Sequence, residues 1–139
     1  MNKKNIYIAQ VKNKAIYLFS LIFLTGILSC SDDKDEFLEG TWEVVNVADI
    51  EATHTQIWEF NSSVLTISRE QKGGGNRLEL DTGFYRLKNS LYTTQIRIDN
   101  TSNDLYNDDW DVIELSRERM IISMRVTGGI IYREFIKKP

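Results

Sequence analysis

Met120-Ile121-Ile122-Ser123-Met124-Arg125-Val126-Thr127-Gly128-Gly129-Ile130-Ile131-Tyr132-Arg133-Glu134-Phe135 decides the fold. Met120, Ile122, Met124 and Val126 fall on one face of an extended chain, and Ser123 and Arg125 fall on the other. That period of two marks a strand with one side in a core and the other in water. Gly128-Gly129 then separates this run from a second apolar run, as a two-residue hairpin whose central positions both favour positive φ. An antiparallel pair of this kind is the unit from which an all-β domain is built.

The pattern extends outward from that hairpin over everything after Phe37. It predicts strands near 40–48, 55–61, 63–70, 76–81, 83–88, 91–99, 109–115, 119–127 and 130–137. Trp58 and Phe60 oppose Glu59 and Asn61, while Tyr92, Thr94, Ile96 and Ile98 oppose Thr93, Gln95, Arg97 and Asp99. Turn residues recur every 8–12 positions, notably Asn61-Ser62-Ser63 and Lys88-Asn89-Ser90, which is the all-β signature. Gly73-Gly74-Gly75 is a loop tip. No lysine followed by serine or threonine comes after it, so it is not a phosphate-binding loop. Asp99 to Asp109 is the long polar connection. Helical periodicity is absent, apart from a single turn around Phe37–Glu39. Eight or so short strands joined by hairpins must protect their edges, and closure into an up-and-down antiparallel β-barrel removes the edges altogether.

The first 36 residues are of another kind. Lys3, Lys4, Lys12 and Lys14 precede an apolar run from Ala15 to Leu28, and Cys30, the only cysteine, opens an acidic stretch to Glu36. A helix of that run spans about 21 Å, short of the ~30 Å hydrocarbon core. A basic head, a short apolar body and a small residue at Ser29 therefore read as an export signal over residues 1–29. A lone cysteine rules out an internal disulfide. After Cys30 the chain holds thirteen basic and 20 acidic residues. Such an acidic domain lacks the basic patch that nucleic-acid binding requires. The acidic run 31–36 reads as a solvated linker.

Ile27-Leu28-Ser29-Cys30 resembles the lipobox of a bacterial lipoprotein precursor. That resemblance implies cleavage before Cys30 and a diacylglycerol on its thiol, so that the membrane is a partner through a lipid anchor. Ser31 is similar to the residue at this position in lipoproteins sent to the outer membrane. The run Ser31-Asp32-Asp33-Lys34-Asp35-Glu36 resembles the acidic tether that directs Bacteroidota lipoproteins to the cell surface. Two or more acyl chains suffice for stable attachment. Within residues 37–139, Leu38-Glu39-Gly40-Thr41-Trp42 is similar to the Gly-x-Trp opening of lipocalins, and the remainder is similar to small lipocalin-like domains. This implies that Trp42 plugs one end of a barrel, that Gly40 admits a close neighbour, and that an arginine from the last strand covers the indole. Arg133 is first in line for that role and Arg125 second.

Chemistry is sparse in the sequence. His54 is the only histidine, and no second histidine or free cysteine completes a zinc set. No nucleophile elbow is present. Asp104, Asp108, Asp109 and Asp111 lack the glycine and terminal glutamate of a calcium loop. The residues thus indicate neither an enzyme nor a cofactor or metal protein. Trp58, Tyr85, Tyr92 and Trp110 are expected to point inward, as core packing or as the lining of a cavity for one small apolar or amphipathic ligand. The alternative is a structural or interaction lipoprotein with a filled barrel, contacting another envelope protein.

Overall fold

The structure, a computed structural model, describes residues 32–45, 53–73 and 75–139. The proposed signal peptide and Cys30 lie outside the described residues. The chain forms α1 (Asp32–Leu38), β1 (Gly40–Val44), β2 (His54–Asn61), β3 (Val64–Gln71), β4 (Arg77–Asn89), β5 (Thr94–Asp99), β6 (Asp109–Leu115), β7 (Arg119–Val126) and β8 (Gly129–Lys137). The eight strands pair in sequence order, all antiparallel, and β1 closes on β8 to complete an up-and-down barrel. The closing seam is short, pairing Trp42 with Lys137, Glu43 with Ile136 and Val44 with Phe135.

Period-two alternation fills the barrel. Trp42, Trp58, Phe60, Leu65, Ile67, Ile96, Ile98, Trp110, Met120, Ile122 and Phe135 are all fully or almost fully buried in one core. Rings meet across it: Trp58 lies 5.2 Å from Phe135 and 6.2 Å from Trp110, and Phe60 meets Tyr85 edge-on at 5.0 Å. Trp110, Phe60 and Phe135 all meet Trp58, and with Trp42 in the same core they fill the volume that a larger barrel would leave for a ligand.

Several expected boundaries move, each for a local reason. The strands expected at 76–81 and 83–88 are one strand, β4, bulged where Ile67 pairs with Asp81 but Ser68 pairs with Glu79. Gly83 does not break it. A Cβ there would lie 2.6 Å from Thr101 Cγ2 and 2.8 Å from the Asp99 carbonyl oxygen, so the glycine makes room for the chain leaving β5. The β7–β8 turn centres on Thr127-Gly128, one residue earlier than expected, and only Gly128 has positive φ. The turn with two positive φ values is instead Ser62-Ser63, between β2 and β3.

The strand expected from residue 91 starts at Thr94. Ser90 N–H donates to the Thr93 carbonyl at 2.8 Å, and Thr93 N–H donates back to Ser90 Oγ at 3.0 Å. These bonds pinch Leu91-Tyr92 out as a turn. Residues 32–36 of the acidic run belong to α1. Asp35 in the first turn suits the positive end of the helix dipole, and Leu38 anchors the last turn by burying completely in the core.

Candidate functional site

The barrel has two unlike ends, and each places a cation against an indole. At the first end, α1 meets the barrel. Trp42 Nε1 donates to the Leu38 carbonyl at 2.7 Å, and Lys137 Nζ donates to the Phe37 carbonyl at 2.9 Å while lying 5.0 Å from the Trp42 ring. The stem of Lys137 crosses Gly40, where an added Cβ would lie 2.8 Å from Lys137 Cε. Gly40 also has φ of 122°, so a side chain is excluded twice over. Burial pushes the Lys137 amine below its usual range, against Glu36 and Glu39, which raise it.

Trp42 and Gly40 therefore stand where the Gly-x-Trp resemblance puts them, but the covering cation is Lys137 and not Arg133. Both side chains point inward from β8, four residues apart, and at ~3.3 Å per residue that is about 13 Å along the strand. The register Trp42↔Lys137 leaves Arg133 near the opposite end. Arg125 faces solvent.

Arg133 organises that second end. Its guanidinium carbon lies 5.5 Å from the Trp58 ring, 5.3 Å from Tyr106 and 6.0 Å from Trp110, so three aromatic faces surround one cation. Arg133 Nη1 donates to Gln56 Oε1 at 3.3 Å, Gln56 Nε2 donates to the Tyr106 hydroxyl at 3.1 Å, and Trp110 Nε1 donates to the Tyr106 carbonyl at 3.1 Å. Two donors are left over. Trp58 Nε1 and Arg133 Nε are buried and have no hydrogen-bond partner among the described residues. Nor does Arg133 form an ion pair with any carboxylate among the described residues. Buried polar atoms are nearly always partnered, so two orphans in one neighbourhood mark a place where an acceptor belongs.

A cleft of about 530 Å³ opens beside this cluster, with His54, Gln56, Lys72, Tyr132 and Arg133 in its wall. Its size falls within the range of small-molecule sites. Among the described residues of its wall, Lys72 and Arg133 stand against one carboxylate, Glu43, although the domain as a whole is acidic.

The connection from Asn100 to Asp108 carries Tyr106 into place and is held firmly. Thr101 N–H and Oγ1 both donate to Asn107 Oδ1, at 2.8 and 2.9 Å. Asp81 accepts from Ser102 N–H at 2.9 Å and from Asn103 N–H at 3.2 Å. Partial burial raises the Asp81 carboxyl, but the hydrogen bonds from Ser102, Asn103 and Thr82 outweigh it and hold the group below its usual range.

Of the four residues expected to line a cavity, only Trp58 and Trp110 belong to this cluster. Tyr85 is buried in the other half of the barrel against Phe60, and burial together with Glu39 and Asp35 pushes its hydroxyl up. Tyr92 does not point inward at all: it is 90% exposed, because the Ser90–Thr93 turn ends the strand alternation before it. Gln56 and Tyr106 were not predicted. Tyr106 is the one aromatic residue of a loop that is polar but for Leu105, and that is the available signal. Asp108 and Asp109 face Arg97, and no group of three metal-binding side chains exists among the described residues. Comparison with protein-family models, with curated proteins and with solved structures finds no match.

Proposed function

We propose that this chain is a lipid-anchored, surface-facing outer-membrane lipoprotein with a lipocalin-like, non-enzymatic binding module. Its ligand is a small amphipathic molecule bearing a carboxylate or similar acceptor. The packed interior moves the expected ligand site from the barrel's centre to its mouth. There the acceptor group satisfies Trp58 Nε1 and Arg133 Nε, and the apolar body lies in the cleft beside Tyr132. The observation that carries this reading is a pair of buried donors, the indole N–H of Trp58 and Nε of Arg133, that have no partner among the described residues. The lipid anchor is supported by Ile27-Leu28-Ser29-Cys30 and by the acidic residues that follow.

A thermal scan with decanoate and, separately, with decanol tests it. A ligand at a hundredfold excess over its Kd adds about 2.7 kcal/mol to stability. The expected result is a rise in melting temperature with the acid, little with the alcohol, and none for Arg133→Met with either. Equal shifts for acid and alcohol would remove Arg133 from recognition.

A second reading has one observation in its favour. Ile130, Tyr132 and Ile136 form an exposed apolar stripe on the outer face of β8, 51%, 62% and 55% accessible. If no carboxylate or other small anion shifts the melting curve, contact with another envelope protein through this stripe becomes the better account.

A further inference from the structure

Leu91 and Tyr92 form the tip of the β4–β5 turn, and they are 87% and 90% exposed, well above the other exposed large apolar side chains. Two apolar side chains held out in water by a tight turn need a reason. Ser90 and Thr93 fix the turn through reciprocal backbone and hydroxyl bonds, so the tip is a shaped projection.

Its position along the chain supplies the reason. Lys34 Nζ donates to Thr94 Oγ1 at 2.7 Å, which ties α1 to the base of this turn. Lys34 also shares with Ser90–Thr94 the wall of a shallow cleft of about 380 Å³. Cys30 precedes Lys34 by four residues, and four residues span at most ~14 Å even fully extended. Any lipid on Cys30 is thus held within a short tether of the Leu91-Tyr92 tip. The cleft beside Arg133 lies at the opposite end of the barrel.

We propose that the Leu91-Tyr92 tip enters the headgroup layer of the membrane that holds Cys30, so that the barrel stands with its Arg133 mouth facing away from the bilayer. This rests on the lipid-anchor reading above. Tyrosine places an apolar ring and a polar hydroxyl at a membrane–water boundary, where aromatic residues are enriched. Leu91 adds apolar surface beside it. An acyl anchor holds a protein near a bilayer but leaves it free to tumble on its tether, and a second contact at the same end fixes its orientation. Asp35 and Glu36 are exposed on α1, and these charges favour a zwitterionic headgroup over an anionic one.

The test uses the full acylated chain in phosphatidylcholine vesicles. Acylation blocks the Cys30 thiol, so Tyr92→Cys offers a single site for a polarity-sensitive dye, with Thr127→Cys at the far end as its counterpart. Both proteins are expected to float with the vesicles. The dye at position 92 should shift to the blue and be quenched several-fold by bromine-bearing lipid, whereas the dye at position 127 should do neither. A protein that does not float at all overturns the anchor and the tip together. Flotation without quenching at position 92 overturns the tip alone. A blue shift at position 92 without quenching means that a protein, such as a second copy, covers the tip, which also overturns the proposal.

Discussion

The two ends of this barrel use the same pair of groups to different effect. At one end Lys137 lies over Trp42, and at the other Arg133 lies over Trp58. At the α1 end both N–H donors find carbonyls within the chain, those of Phe37 and Leu38. At the loop end Trp58 Nε1 and Arg133 Nε find none among the described residues. The first end is complete without any outside partner, so it is a structural plug. The second leaves two buried donors without an acceptor among the described residues, and the proposed ligand site rests on them. The contrast teaches that a cation on an indole does not define a function. What its remaining donors have to bond with does.

Replacing each tryptophan by phenylalanine sharpens this comparison most. Both substitutions remove the same volume from a fully buried site, so the difference between them reports the N–H group. Trp42→Phe leaves the Leu38 carbonyl without its donor, which costs about 1–3 kcal/mol beyond the lost packing. Trp58→Phe removes a donor that has no partner among the described residues, so it should unfold at a clearly higher denaturant concentration than Trp42→Phe. Equal midpoints would mean that the two ends are equally satisfied.

A smaller effect concerns the loop that carries Tyr106. The Asp81 carboxyl is held below its usual range in the folded protein. Its contribution is therefore fully present above the unfolded value near 3.9 and is lost as pH falls through the lower folded value. Asp81→Asn should flatten the acid limb of the stability curve by lowering stability at neutral pH while leaving stability in strong acid nearly unchanged. An acid limb identical to that of the parent would show that Asp81 does not hold Ser102 and Asn103.

The closed barrel was legible because alternation is written into every strand. Trp58 and Phe60, Ile96 and Ile98, and Met120 and Ile122 need only a period of two to share a core. The site was less legible. Alternation puts Arg133 and Lys137 on the same face of β8, and only the β1–β8 register decides which of them reaches Trp42. Tyr92 continues the β5 pattern in sequence, and the hydroxyls of Ser90 and Thr93 end that pattern in space. Gln56 and Tyr106 meet across 50 residues of chain, a pairing that no local signal records. The acidic residues before Phe37 resemble a linker by charge, and they become helical because Leu38 docks in the core and holds the last turn.

The indole N–H resonances of the three tryptophans give the most direct test of the mouth as the proposed ligand site. Trp42 and Trp110 already donate to the carbonyls of Leu38 and Tyr106. Titrating decanoate into ¹⁵N-labelled protein should move the Trp58 proton downfield as it gains an acceptor, while the Trp42 signal stays fixed. A Trp58 signal that stays put throughout the titration, or one that moves no further than that of Trp42, would contradict the account.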